Sequence, residues 1–108
     1  MKTESLALLA AVLLVLSVTV AARADADPPP DGAFTLVVLP DTQTYAQMRN
    51  LNGIFLGQTH WIADHKESHN IQYVLHVGDV VQNNIHAEWI VAKQAFVTLD
   101  EAGVPYGR

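Results

Sequence analysis

Cysteine is absent from the 108 residues, so no disulfide can staple the fold and no thiolate can bind a metal. Any metal must therefore rest on oxygen and imidazole ligands. Basic residues are also scarce: 6 Lys and Arg stand against 11 Asp and Glu, a net charge of −5. General nucleic-acid binding, which needs a basic footprint, is excluded on that balance, whereas acidic side chains suit cations. Neither G-x-G-x-x-G nor G-x-x-x-x-G-K-[ST] occurs, which leaves a nucleotide-binding α/β domain without its phosphate cradle. There is no internal repeat.

Apolar residues make up 50% of the chain, enough for a packed core, but they are unevenly placed. Residues 6–22 carry no charge and are mostly Leu, Ala and Val. Lys2 and the amino terminus form a positive n-region, weakened by Glu4. Residues 6–16 form the apolar h-region, and Ala22-Arg23-Ala24 is an A-x-A cleavage site. The pattern predicts a signal peptide over residues 1–24, cleaved after Ala24, and a secreted or periplasmic product. Left uncleaved, a run of about 17 residues sits at the short limit for crossing a ~30 Å hydrocarbon layer. Membrane contact is expected only in that case. Residues 25–33 follow as a polar linker whose three consecutive prolines favour extended geometry.

The folded part is expected over residues 34–108. Residues 34–39 (FTLVVL) are apolar and rich in β-branched side chains, and Pro40 ends them. They read as a strand buried on both faces, as in a parallel sheet. Residues 41–52 read as a loop, and residues 53–68 as a helix capped by Asn52, with Ile54, Phe55, Trp61 and Ile62 on one face. Residues 71–77 (IQYVLHV) read as a second strand closed by Gly78. A second helix over residues 86–102 follows from the stripe Trp89, Ala92, Phe96 and Leu99, with Asn84 as its cap and Gly103 as its left-handed stop. Val104-Pro105-Tyr106 leads into a third strand. The order β-α-β-α-β predicts an α/β fold with right-handed crossovers. So few strands offer little area for helices to cover, so residues 34–108 are expected to be the opening portion of a larger domain.

In open α/β sheets, ligands bind beyond the carboxyl ends of the strands. That rule selects Pro40-Asp41-Thr42-Gln43 after the first strand and Gly78-Asp79 after the second, with Gln82, Asn83 and Asn84 trailing. If the strands are neighbours, Asp41 and Asp79 project into one crevice, where a divalent cation would relieve their repulsion. Either aspartate alone is an ordinary turn residue; together, behind two strands and a crossover helix, they point to a metal. Gly78 suits the sharp turn that presents the second carboxylate. Of the 5 histidines, His60, His65 and His69 read as surface or helix-end residues, His86 as solvated and His76 as interior. None is expected to bind metal.

LPDTQ (residues 39–43) followed by LHVGDVVQNN (residues 75–84) resembles the opening of the calcineurin-like metallophosphoesterases, and the resemblance covers residues 34–106. It implies the N-terminal part of an α/β sandwich and metal-dependent hydrolysis of phosphate esters by the full-length protein, a small-molecule phosphate ester being the substrate. It further implies two divalent ions (Mn, Fe, Zn or similar), with Asp41 on the first and Asp79 bridging both. Gln43 stands where the family usually has histidine, and Gln82 where a second acidic residue is usual, so Gln82 is given no role. The family's Gly-Asn-His motif and later histidines would lie downstream of Arg108, leaving catalytic residues unassigned here and this 108-residue chain inactive by itself. The competing expectation is a non-catalytic exported α/β binding module with a degenerate metal site, which the neutral Gln43 and Gln82 favour.

Overall fold

A computed structural model describes residues 26–107. The expected signal peptide lies outside the described residues. Strand β1 (Thr35–Leu39) leads into a short helix α1 (Gln43–Gln47), a 3₁₀ turn (Arg49–Leu51) and helix α2 (Asn52–His65). Strand β2 (Ile71–His76), helix α3 (His86–Glu101) and a two-residue strand β3 (Tyr106–Gly107) complete the order. The strands form one parallel sheet in the order β1-β2-β3. The protein is thus α/β, with a crossover helix between each pair of neighbouring strands.

The register explains which residues enter the core. Leu36 pairs with Tyr73, Val37 with Val74, Val38 with Leu75 and Leu39 with His76. Side chains alternate along a strand, so Leu39, Val74 and His76 point one way and are buried, while Leu36, Val38, Tyr73 and Leu75 point the other way and are exposed. Helices α2 and α3 pack against each other on the first face. Phe55, Thr59 and Ile62 come from α2, and Ala92, Ala95, Phe96 and Leu99 from α3, each set buried at steps of three and four. Phe55 meets Phe96 edge-on, ring centroids 5.8 Å apart, and the small Ala92 and Ala95 let the helices approach closely.

Several expectations need correction. β1 is not buried on both faces: both helices lie on one side, and among the described residues nothing covers Leu36 and Val38, which are 53% and 52% exposed. Residues 41–52 are not a loop, because Gln43–Gln47 and Arg49–Leu51 are helical. Asn52 does not cap α2 but starts it; its Nδ2 donates to Tyr45 O at 2.6 Å and to Ala46 O and Met48 O at 3.2 Å. It thereby satisfies the spent carbonyls of α1 and joins the two helices. Ile54 faces out at 44% exposure, because α2 turns Phe55, Thr59 and Ile62 to the core. Gly103 does end α3, with φ +65°.

Candidate functional site

Because β1 and β2 are parallel neighbours with Leu39 opposite His76, the loops that follow them leave the sheet at the same edge. The pairing continues one step past the strands, where Val77 N–H donates to Leu39 O at 3.1 Å. Asp41 lies on the first loop and Asp79 on the second, and both are exposed. Gln43 opens α1 and is half-buried. Among the described residues neither Asp41 nor Asp79 has a hydrogen-bond or ion-pair partner for its carboxylate.

A buried polar chain ties the two loops together. Gly78 N–H donates to His76 Nδ1 at 3.1 Å. Nε2 is 2.9 Å from Thr42 Oγ1, and that hydroxyl donates to Val80 O at 3.1 Å. Thr42 is 0% and His76 2% exposed. Thr42 is flanked by Asp41 and Gln43, and Val80 directly follows Asp79. Two consecutive left-handed residues open the second loop: Gly78 has φ +114° and Asp79 φ +47°. An added Cβ at Gly78 would meet nothing within 4 Å, so backbone conformation, not crowding, demands glycine there.

A second anchor is Glu88, in the first turn of α3 and 3% exposed. Its Oε2 accepts from Gln82 N–H at 2.9 Å and Asn83 N–H at 2.7 Å, and Oε1 accepts from Asn83 Nδ2 at 2.7 Å. The Asn83 amide, helped by the Asn83 side chain and the Gln82 amide, outweighs desolvation and holds this carboxyl below its usual pKa. Asn84 is not the cap of α3, which begins after Ile85. Left-handed at φ +53°, it instead accepts from Trp89 Nε1 through Oδ1 at 2.7 Å. Gln82 is exposed.

Sequence reasoning missed both Thr42 and Glu88. Signals for each were present: Thr42 lies between two candidate ligands, and a glutamate in the first turn of a helix commonly reaches back to free amides. His76 is interior, as expected. His69 is not a surface residue; it is 7% exposed, donates from Nε2 to Ala26 O at 2.7 Å, and has Nδ1 2.9 Å from Ser68 Oγ. His65 stacks on Trp61 with centroids 4.2 Å apart. His60 and His86 are exposed.

As a donor set, Asp41, Asp79 and the side-chain oxygen of Gln43 suit one hard divalent cation. They do not amount to a pair of complete sites. Among the described residues there is no group of three or more His, Cys, Asp and Glu side chains able to hold a metal ion.

The chain is 39% identical over 84 residues to the uncharacterized protein YvnB of Bacillus subtilis (strain 168), a stretch that takes in 77% of this chain and 6% of that protein. The chain therefore spans a small fraction of the length of the curated relative that it matches. No family model matches the sequence, and no solved structure matches the fold.

Proposed function

We propose that this chain carries the first metal-holding loops of an exported metallophosphoesterase, a hydrolase of phosphate esters. The observation that carries the reading is the placement of two carboxylates, Asp41 and Asp79, with no partner among the described residues, on hydrogen-bonded loops at the carboxyl edge of adjacent parallel strands. Asp41, Asp79 and the amide oxygen of Gln43 would hold the cation. When bound, divalent ions in such a site supply a nucleophile from water near neutral pH and neutralise charge on the phosphoryl oxygens. The part played by this chain's own residues is placement. The left-handed turn at Gly78 and Asp79 shapes the loop that carries one carboxylate, and the bond from Thr42 Oγ1 to Val80 O ties the other loop to it.

The resemblance of LPDTQ and LHVGDVVQNN to the calcineurin-like metallophosphoesterases supports the same reading. These residues alone fall short of a two-ion set, so the 108-residue chain binds a cation weakly and does not hydrolyse. A non-catalytic exported binding module is the second reading; the neutral Gln43, in place of a stronger ligand, favours it.

Manganese titration of the 108-residue chain, followed by the electron paramagnetic resonance of free Mn²⁺, tests the first step. Saturable binding is expected near 10⁻⁴–10⁻³ M, roughly the range of weak extracellular cation sites, and Asp79→Asn should abolish it. Equal binding by wild type and Asp79→Asn would remove Asp79 from the site. Mn²⁺-dependent hydrolysis of bis(p-nitrophenyl) phosphate by the protein extended beyond Arg108 separates the enzyme from the binding module.

A further inference from the structure

We infer that Thr42 and His76 are positioning residues that make the two carboxylate loops move as one unit, with His76 acting as a neutral imidazole protonated on Nε2. The relevance of this coupling to cation binding rests on the reading that Asp41 and Asp79 share an ion.

The hydrogen-bond chain has a fixed direction. Gly78 N–H at one end can only donate, and Val80 O at the other can only accept. Between them, Nδ1 must accept, Nε2 must donate to Thr42 Oγ1, and the hydroxyl must pass its own proton to Val80 O. One protonation state and one tautomer of His76 satisfy that sequence. An imidazolium would point a proton at the Gly78 amide, and the Nδ1–H tautomer would do the same.

The burial makes this arrangement costly to break. Thr42 and His76 sit within the core, and the His76 ring lies 6.3 Å from Phe55 and 6.0 Å from Phe96, centroid to centroid. An apolar pair could fill such a place without polar atoms to satisfy. What the polar pair adds is registration: Thr42 on the first loop is bound both to β2, through His76, and to the second loop, through Val80. Ala46 N–H in turn bonds to Thr42 O at 2.9 Å, so Thr42 also fixes the start of α1. A shift of either loop strains the other.

Two measurements on the full 108-residue chain decide the matter. Long-range ¹H–¹⁵N correlation on ¹⁵N-histidine protein at pH 7 should show His76 with a bare Nδ1 and a protonated Nε2. An Nδ1–H tautomer or an imidazolium would overturn the inference, and this measurement needs no variant to fold. In Thr42→Val, amide exchange at Gly78 on the second loop and at Ala46 in α1, directly after the first loop, should both quicken by about tenfold or more. The Leu99 amide in α3 should quicken less than either loop, which separates loop coupling from general loss of stability. Thr42→Ser should restore both loops. Quickening at one loop only, at neither, or equally at Leu99 refutes the coupling. Mn²⁺ titration of the same variants keeps the two readings apart. Absence of binding by wild type sinks the shared cation and leaves the exchange result to judge the coupling. Wild-type affinity in a Thr42→Val protein whose loops have loosened would show that positioning does not matter to the ion.

Discussion

Gly78→Ala isolates the cost of the turn that presents Asp79. The Cα of Gly78 is held at φ +114°, and the methyl group of an alanine there would touch nothing within 4 Å. Crowding therefore contributes nothing, and the entire penalty is conformational. A residue with a Cβ in a sparsely populated region costs about 1–3 kcal/mol. Restricting the unfolded chain returns about 0.4–1 kcal/mol of that. Taking the middle of both ranges, the net is a destabilisation of about 1.3 kcal/mol, a sizeable part of the roughly 4–12 kcal/mol expected for a domain of this size. In urea unfolding followed by circular dichroism, with a slope near 1 kcal/mol per molar, the midpoint should fall by about 1–2 M. An internal control has the opposite sign. Gly57, in the middle of α2, is exposed, has helical neighbours and also has open space at its Cβ position. Gly57→Ala should stabilise the protein by about 0.5–1 kcal/mol. If Gly78→Ala unfolds within about 0.3 kcal/mol of wild type, or if both substitutions shift stability the same way, the turn is not held left-handed and the placement of Asp79 fails with it.

Glu88 has its carboxyl pKa lowered by the Asn83 and Gln82 amides, so its contribution to stability is full above the unfolded value of about 4.3. That contribution is lost as pH falls through the depressed folded value. Thermal melts from pH 7 to pH 3 should therefore find Glu88→Gln less stable than wild type at pH 7, with the gap narrowing as the pH falls; a gap that stays constant refutes the role. On the bare sheet face, Val38→Lys should change stability by no more than about 0.5 kcal/mol while lowering self-association and dye binding to exposed apolar surface. A loss of several kcal/mol would mean that Val38 is covered after all.

Much of the architecture was legible because it follows from local rules. The continuous apolar runs FTLVVL and IQYVLHV, the three-and-four spacing in α3 and the left-handed stop at Gly103 each depend on a few neighbouring residues. The helix over residues 43–47 was not legible, because QTYAQ carries no apolar stripe. It is held from outside, by Asn52 reaching back to Tyr45, Ala46 and Met48. Periodicity also could not tell which strand face the helices would choose, since β1 and β2 are apolar on both. Asp41 and Asp79 could be located from the rule about carboxyl strand ends. Their anchors could not, because Thr42 meets His76 and Val80 only across 34 and 38 residues of sequence.

These anchors all lie on the helix-covered side of the sheet. His76 points into the core with Leu39 and Val74, and Glu88 is carried by the first turn of α3. The opposite face, with Leu36, Val38, Tyr73, Leu75 and Val77 exposed, supplies no side-chain hydrogen bond to the loops among the described residues. A sheet so apolar on both sides has the composition of one covered on both, yet the shape of the candidate site does not depend on the second cover. Loop geometry and sheet-face chemistry are therefore separable in this chain. A change that alters Thr42, His76 or Glu88 acts on the carboxylates through bonds of known direction. A change at Val38 or Leu75 can reach them only by shifting the strands themselves.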